Sequence, residues 1–209
     1  MRRLFTVLLL LATPLRAENV AGDFDYFVLA LSWSPNWCAM EGDARESPQC
    51  DPSAGFGWVL HGLWPQYDRG WPDYCRTDHR NPTRSDTAAQ AGLFGSAGSA
   101  WHQWNKHGRC SGLPADAYYD LSAEAYGRIT RPEVFRKLDN PVRLPAAVVE
   151  EAFLRDNPAL SADQITITCR SGRIQEARIC LTRDLEFRDC GADVVRDCSL
   201  EDALFDPIR

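Results

Sequence analysis

The chain at residues 24–33 reads Phe-Asp-Tyr-Phe-Val-Leu-Ala-Leu-Ser-Trp. Aromatic and β-favouring side chains dominate this run, which predicts a strand in the core of the domain. A second, shorter strand is predicted at 57–63, where the chain runs into Trp64 and Pro65. Towards the C-terminus, apolar alternation predicts three more strands, at 165–169, 173–181 and 185–189.

Between these strands the sequence predicts helices that begin near Ser, Asp or Pro residues. The predicted helices span 85–94, 100–107, 116–129, 132–138 and 145–155. Ser85 is the expected cap of the first, and Gly108 is expected to end the second as a C′ glycine. The polar segment 66–84 is a predicted surface loop that Cys75 pins. This order of elements indicates a single α+β domain, with a central antiparallel β-sheet and flanking helices.

The N-terminus has the pattern of a signal peptide at residues 1–17, which leaves 18–209 as the mature domain. Arg2 and Arg3 form a basic start, and the apolar stretch after them is too short to span a bilayer. Ala17 is the small residue at the expected cleavage site. The alternative is a buried N-terminal helix. A signal peptide predicts a periplasmic or secreted protein with no membrane partner.

The composition indicates the cellular compartment of the protein and the kinds of ligand that it can bind. Eight cysteines, an even number, predict a disulfide framework in an exported protein. No Cys-x-x-Cys pair occurs, which argues against a zinc–thiolate site. The formal net charge of −6 creates a poor global field for attracting a polyanion. A nucleic-acid substrate would therefore require a local cationic site.

Three of the four histidines fall in two short motifs rich in aromatic residues. The first motif, at 60–66, reads Leu-His-Gly-Leu-Trp-Pro-Gln. The second, at 101–110, reads Trp-His-Gln-Trp-Asn-Lys-His-Gly-Arg-Cys. Two imidazoles can supply a base and an acid near neutral pH, and RNA carries its own nucleophile in the 2′-hydroxyl. The two motifs therefore predict one active site for phosphodiester cleavage without a metal.

The second motif has the spacing of polar groups on one side of a helix. His102 lies four residues before Lys106, and Gln103 lies four residues before His107. The resulting arc of imidazole, ammonium and amide groups can surround a small anion. A phosphodiester fits such an arc because its transition state gathers negative charge on the non-bridging oxygens.

Two other interpretations of these histidines stay open on the pattern alone. His61 lies beside glycine and tryptophan, where a histidine commonly has only a structural role. A metal site is the second alternative, but zincin motifs place two histidines at i and i+4 with a glutamate between them. His102 and His107 are five apart with no acid between them.

The segments 61–65 and 102–110 resemble the two active-site segments of the ribonuclease T2 family. The strand before Ser32 and the spacing of the C-terminal cysteines are also similar, so that the resemblance covers roughly 24–198. It implies a disulfide-bonded, ribonuclease T2-like fold. It also implies a metal-independent endoribonuclease of low base specificity, which needs no cofactor and acts on single-stranded RNA as a monomer.

The resemblance implies a role for each polar residue of the two motifs. His107 matches the general base that takes the 2′-hydroxyl proton, and His61 matches the acid that protonates the leaving 5′-oxygen. Lys106 matches the group that stabilises the pentacoordinate phosphorane, and His102 a phosphate binder. The product would be a 2′,3′-cyclic phosphate, which the same pair would hydrolyse to a 3′-phosphate.

The resemblance also implies a substrate-binding set and one departure from the family. Trp64 matches a base-stacking residue, and Gln66 and Trp104 are assigned to substrate binding with it. Some members carry Asp where this chain has Gln66. Gln103 takes the place of a glutamate that the family usually has among its catalytic residues. A neutral amide can bind a phosphate oxygen but cannot relay a proton or raise a neighbouring imidazole pKa by its charge.

The disulfide pairing follows from the same resemblance. It implies Cys75–Cys110, which would tie the loop after the first motif to the end of the second. It also implies Cys169–Cys198 and Cys180–Cys190 at the C-terminus, and this leaves Cys38 for Cys50.

Two further functional hypotheses remain beside the endoribonuclease. The first is an RNA-binding or toxin-like protein that keeps the fold but has lost most turnover through Gln103. The second is a metal-dependent hydrolase, which would lose all activity in EDTA.

Overall fold

The computed structural model describes residues 19–209. The expected signal peptide at 1–17 lies outside the described residues. Within the described part of the chain, no helix has the length and apolar character needed to cross a bilayer.

Strand β1, Tyr26–Trp33, lies in the middle of the sheet, and all eight of its residues are buried. It pairs antiparallel with a strand on each side, called β2 and β5 below. Because both faces and both edges of β1 are covered, a nearly continuous apolar run is what this position requires. The core strand predicted at 24–33 is therefore confirmed.

The other strands extend the sheet around β1. They are β2 (Trp58–Gln66), β3 (Val142–Leu144), β4 (Ile165–Arg170), β5 (Arg173–Leu181) and β6 (Ala203–Phe205). The order is β2-β1-β5-β6-β3, and β4 pairs with β5. The pairing is antiparallel, except that β5 and β6 meet in parallel at the single residue pair Arg173 and Leu204. The predicted antiparallel sheet is thus mixed at this one point.

Within residues 19–209, six α-helices lie between the strands, and short 3₁₀ segments connect them. The α-helices are α1 (Ser34–Trp37), α2 (Arg84–Ala89), α3 (Ala91–Phe94), α4 (Ala97–Lys106), α5 (Ala115–Arg128) and α6 (Ala146–Asp156). A π-helical turn, Cys38–Gly42, follows α1. The 3₁₀ segments are Asp43–Arg45, Pro48–Cys50, Pro52–Ala54, Gly108–Ser111, Glu133–Lys137 and Ala162–Gln164.

Several predicted elements differ from the structure. The single helix expected at 85–94 is two helices, α2 and α3, and its cap is Thr83 rather than Ser85, because Thr83 and Asp86 form a reciprocal capping box. The strand expected at 185–189 is wrong, since this segment makes only one bridge to β5. The helix expected at 132–138 is a 3₁₀ segment.

Aromatic rings hold the strands to the helices in the main core. Trp33 of β1 packs against Phe205 of β6 with ring centroids 4.5 Å apart, and its indole donates a hydrogen bond to the backbone carbonyl of Asp206 at 2.8 Å. Trp58 of β2 packs edge-on against Phe153 of α6, at 5.2 Å. These contacts join β1, β2, β6 and α6 into one core.

Four disulfides are formed, and they pair as the resemblance implies. They are Cys38–Cys50, Cys75–Cys110, Cys169–Cys198 and Cys180–Cys190. The second of them joins residues that are 35 apart in sequence. In the chain-entropy description, closing a loop of that length stabilises the folded state by about 4 kcal/mol. This bond anchors the loop between β2 and α2 to the chain just beyond α4.

Gly108 does not end α4 as a left-handed glycine. The chain continues from His107 into the 3₁₀ segment, and Gly112, with φ of 78°, ends that segment. Gly108 is needed for space instead, because a Cβ atom there would lie 2.7 Å from the Trp104 ring and 2.8 Å from the Tyr118 ring. The helix thus ends at Lys106, beside the predicted end at His107, but Gly108 is not the left-handed residue that was expected to end it.

We expect Gly108→Ala to lower the free energy of unfolding by about 1–3 kcal/mol, as overpacking of a rigid core does. The measurement is urea unfolding at neutral pH. The matched control is Gly127→Ala, on an exposed part of α5 where an added Cβ meets nothing within 4 Å. That change should stabilise the protein by up to about 1 kcal/mol. Equal stability of the two variants would contradict the packing explanation.

Candidate active site

A β-bulge in β2 presents His61 to solvent. Ala30 of β1 pairs with Gly62, whereas Leu31, the next residue of β1, pairs with Leu60. His61 is thus the extra residue of β2 with no partner across the ladder. Such bulges re-aim a side chain, and 41% of the His61 side chain is exposed although its neighbours along β2 are buried.

Glu176 of β5 reaches across β1 to hold the His61 ring. Glu176 pairs with Ser32 of β1, which in turn pairs with Val59 of β2. Its Oε1 lies 2.5 Å from Nδ1 of His61. The Ser32 side chain is small, and all three of Ser32, His61 and Glu176 line the same cavity.

The Glu176 carboxylate is buried and ionised. Only 2% of its side chain is exposed, and its other oxygen, Oε2, accepts a hydrogen bond at 2.8 Å from Nε of Arg178. Burial raises the pKa of this carboxyl, but the positive charges and hydrogen bonds of His61 and Arg178 outweigh that effect and lower the pKa to about 2. The side chain therefore carries a full negative charge beneath His61.

Helix α4 delivers the second motif to the same place. Ser96 caps the helix by accepting a hydrogen bond from the backbone amide of Ser99 at 3.0 Å. His102, Gln103 and Lys106 lie on α4, and all three line one cavity with His61. His107 occupies the C-cap position directly after the helix and lines the same cavity. The structure thus brings the predicted polar groups of both motifs together.

His107 is held in its neutral form. Its side chain is buried, and burial is the main cause that lowers its pKa to about 2, followed by the positive charges of Lys106, His61 and His102. Within residues 19–209, its Nδ1 has no hydrogen-bond partner. A neutral imidazole has a nitrogen that can accept a proton, and the burial of His107 opposes the positive charge that this creates. The pKa of His102 is also lowered, first by partial burial and then by Lys106 and His61.

Trp64 lies between His61 and His107. Its ring stacks on His107 with centroids 5.2 Å apart and meets His61 edge-on at 5.1 Å. The Arg178 guanidinium lies 5.4 Å from the ring centroid. Since His107 already covers part of this indole, the stacking of a base on Trp64 stays a prediction.

Gln103 fixes the position of Trp64. Its Oε1 accepts a hydrogen bond from Nε1 of the Trp64 indole at 2.8 Å, and the Gln103 side chain is buried. A Cβ atom at Gly62 would lie 2.2 Å from Nε1 of Trp64 and 2.3 Å from Oε1 of Gln103. Glycine at this position therefore allows α4 and β2 to approach so closely. The residue at position 103 accepts a hydrogen bond from an indole. An amide oxygen can accept this bond as well as a carboxylate oxygen can.

Two cavities meet at His61, His102 and Gln103, which line both. The smaller, of about 260 Å³, also contains Trp64, His107 and Lys106. The larger, of about 560 Å³, extends along β1, β2 and β5. The three shared residues therefore lie between two chambers that can each hold part of a chain-like ligand.

Of the predicted substrate-binding residues, Trp104 does not lie at the site, and Gln66 lies in the cavity wall. Trp104 is completely buried, donates to Asn81 at 3.2 Å and packs against Tyr118, so that it belongs to the core. Gln66 lines the smaller cavity, and its buried Oε1 has no partner among the described residues. Sequence periodicity did not separate these cases, because Trp104 is adjacent to polar site residues.

Four residues of the site were not predicted. Glu176 and Arg178 lie on β5, where a lone Glu or Arg in a strand carries no local signal. Trp71, with 54% of its surface exposed, and Asp193 lie on loops that bend back to the smaller cavity. The signal that the sequence offered was the tryptophan at position 71, a large aromatic residue in a predicted surface loop.

The sequence model of the Ribonuclease T2 family matches residues 24–190 of the chain, from just before β1 to Cys190, the partner of Cys180. The chain belongs to the ribonuclease T2 family. The expectation raised by the two histidine motifs is thereby confirmed at the level of the family.

Relatives in the ribonuclease T2 family share part of the chain. A ribonuclease of Aeromonas hydrophila is 40% identical over 129 residues, 59% of this chain and 57% of the relative. A probable ribonuclease of Haemophilus influenzae is 30% identical over 127 residues, 55% of this chain and 47% of the relative. The chain thus spans about half the length of these two relatives. Ribonuclease Oy of Magallana gigas is 26% identical over 88% of this chain and 97% of its own.

Solved structures of the same family share the fold. The RNase-related protein from Calystegia sepium superposes with a TM-score of 0.68 at 19% identity, over 88% of this chain and 99% of its own. A complex of RNase NT with 5′-AMP gives a TM-score of 0.65 at 21% identity, over 88% and 99%. These matches confirm the predicted ribonuclease T2-like α+β fold.

Burial of neutral His107 predicts a loss of stability in acid. Between the lowered pKa of about 2 and the ordinary value of 6.5, the unfolded chain binds more protons at His107 than the folded chain. Stability therefore rises with pH in this window and is lost as pH falls below 6.5. Through His107, the free energy of unfolding should fall by about 2 kcal/mol between about pH 6.5 and about pH 5.

The measurement is urea unfolding of the wild type and His107→Gln at both pH values. The variant should lose most of this pH dependence, although His102, whose pKa is also lowered, leaves a residual slope of the same sign. Glu176 contributes only at lower pH, because its carboxyl loses charge below its ordinary range. His79→Gln, on an exposed loop, is the control. An undiminished slope in His107→Gln would refute the assignment.

Proposed function

We propose that this protein is a metal-independent endoribonuclease that cleaves single-stranded RNA to 2′,3′-cyclic phosphates and then to 3′-phosphates. The observation that carries the proposal is a matched pair of histidines in one cavity. His107 is buried and neutral, whereas His61 is exposed and paired with a carboxylate. Two like groups with opposed environments are suited to act as base and acid in one reaction.

In the first step the proton of the 2′-hydroxyl passes to His107. The 2′-oxygen bonds to phosphorus, the bond from phosphorus to the 5′-oxygen breaks, and His61 gives a proton to that oxygen. Lys106 and His102 line the cavity where negative charge develops on the non-bridging oxygens. A bound phosphate also brings negative charge beside His107, which favours the protonated imidazole that this step creates.

In the second step the roles reverse. His61 takes a proton from water, the water oxygen bonds to phosphorus, and the 2′-oxygen leaves with the proton that His107 acquired. The step restores both histidines and yields a 3′-phosphate. No group other than the substrate and water is consumed.

The two cavities give the substrate a direction. His107 lines only the smaller one, so the nucleotide whose 2′-hydroxyl attacks the phosphorus belongs there. His61 lines both, so the leaving nucleoside belongs in the larger one. Both cavities are open clefts, and bases reach them only when they are unstacked, which favours single-stranded RNA.

The smaller cavity favours stacking with a mild selection of bases. Trp71 is an exposed aromatic surface at its wall, and stacking accepts any base because every base has a π-face. Gln66 Oε1 and Asp193 Oδ1 are buried acceptors without partners in residues 19–209. They can accept hydrogen bonds from amino groups, which uracil lacks. Low base specificity follows from the stacking surface.

Binding of an anionic substrate is compatible with the negative net charge of the chain, and the four disulfides are compatible with export. Lys106 and Arg178 form a local cationic wall in a protein whose formal net charge is −6. Four disulfides are typical of proteins in an oxidising compartment, and they support a periplasmic or secreted location. We propose a monomer with RNA as its only required partner.

The direct test is incubation of the dinucleotide CpA with purified protein in EDTA. A 2′,3′-cyclic cytidine product that converts to the 3′-phosphate is expected, with no cleavage of the corresponding deoxy-dinucleotide, which lacks the nucleophile. His107→Ala should lower the rate by at least about 10²-fold, the range that general base catalysis contributes. Cleavage of the deoxy substrate, or complete loss of activity in EDTA, would contradict the proposal.

The alternative function, an RNA-binding or toxin-like protein with weakened turnover, depends on Gln103. Because Gln103 supplies an acceptor to Trp64, we expect Gln103→Glu to change kcat on CpA by less than about fivefold, well below a general acid–base effect. A wild type that binds RNA but barely cleaves it, and a large gain on Gln103→Glu, would favour the alternative instead. Gln103→Leu, which removes the acceptor, is the control and should lower kcat and raise KM.

A further inference from the structure

Position 103 lacks the carboxylate that the family usually has, yet a carboxylate is present in the site. It comes from Glu176 of β5, 115 residues after His61 in sequence, and contacts His61, whereas Gln103 contacts Trp64. A carboxylate as buried as Glu176 is costly unless cationic partners satisfy both of its oxygens. His61 satisfies one oxygen and Arg178 the other.

We propose that Glu176 is the positioning residue for the general acid His61 and supplies the active-site carboxylate that position 103 lacks. Glu176 would accept a hydrogen bond from Nδ1–H of His61 and thereby direct Nε2 towards the leaving 5′-oxygen. This inference rests on the proposed function, because it assigns a role within that reaction.

The geometry gives His61 a specific need for such a partner. The residue occupies a bulge and is 41% exposed, so neither the strand ladder nor close packing fixes its ring. A hydrogen bond at one ring nitrogen decides which tautomer is present and which nitrogen faces the substrate. With Nδ1 at 2.5 Å from Glu176, the opposite nitrogen, Nε2, is the one left for the substrate.

Arg178 gives Glu176 a fixed orientation. Its Nε and a terminal nitrogen lie 2.8 Å and 2.7 Å from Oε2, so that this oxygen is engaged and Oε1 is left for His61. A second ladder irregularity, in the pairing of β4 with β5, lies just before Glu176. Both members of the pair therefore sit where the sheet departs from regular pairing.

The proton balance of the step leaves Glu176 unchanged. His61 begins protonated on both nitrogens and gives the Nε2 proton to the 5′-oxygen. The neutral ring keeps its Nδ1 proton, hydrogen-bonded to the carboxylate. Glu176 stays ionised throughout because Arg178 remains paired with it, in agreement with the lowered pKa of this carboxyl.

The test compares two leaving groups, because an acid is needed only when the leaving oxygen must be protonated. The leaving group of CpA is adenosine, whose 5′-oxygen would depart as an alkoxide and needs the proton. The leaving group of uridine 3′-(4-nitrophenyl phosphate) is a stabilised phenolate, which does not need the proton. Glu176→Gln keeps the size of the side chain and an acceptor oxygen but removes the charge.

We expect Glu176→Gln to lower kcat/KM on CpA by about 10²-fold and on the nitrophenyl ester by less than about threefold, as loss of general acid catalysis requires. His61→Ala is the positive control and should show the same contrast. His107→Ala is the second control and should slow both substrates, since both need the base. A structural role for Glu176 would slow both substrates equally and would overturn the proposal, as would an unchanged rate on CpA.

Replacing one member of a buried ion pair can unfold a protein, so the wild type supplies an independent measurement. In the isotope-labelled wild type, NMR of the histidine rings should show Nδ1 of neutral His61 protonated and Nε2 bare. A neutral ring protonated at Nε2 would overturn the inference. Failure of the wild type to form a cyclic phosphate would instead refute the proposed function, so the two failures are distinguishable.

Discussion

The position of β1 constrains every other part of this structure. All of its residues are buried, and it is paired along both edges, so β2 and β5 must align to it in one register. A slip of one residue would turn each paired strand over and move its side chains to the opposite face. His61 and Glu176 reach each other only because both strands are aligned on Ser32.

Electrostatics then separates groups of the same chemical type. Two histidines within contact of one indole differ because one ring is buried beside positive charges and the other is solvated above a carboxylate. The closely packed Trp64 gives each ring its own environment while it keeps both at one cavity. A net negative protein can therefore present a small cationic wall without a basic surface.

Local patterns predicted the parts of the molecule that are locally encoded. The apolar run at 24–33 and the alternation at 173–181 identified strands, because burial acts directly on those periods. Strands β3 and β6 have three residues each, too few to show a period, and they form only against distant partners. Trp104 was misassigned because successive residues of a helix point in different directions. A core residue can therefore stand in sequence directly beside residues of the site. Glu176 was missed because its role depends on His61, which lies on the other side of β1 and is distant in sequence.

The bond between Cys75 and Cys110 makes the covalent anchoring of the chain beyond α4 depend on redox conditions. Cys110 follows His107 by one turn, and Tyr74, next to Cys75, donates a backbone hydrogen bond to the carbonyl of Lys106 at 2.8 Å. Where thiols stay reduced, this end of α4 has no covalent anchor. Reduction of this single bond would therefore release the loop after β2 from the chain that directly follows the cavity residues Lys106 and His107.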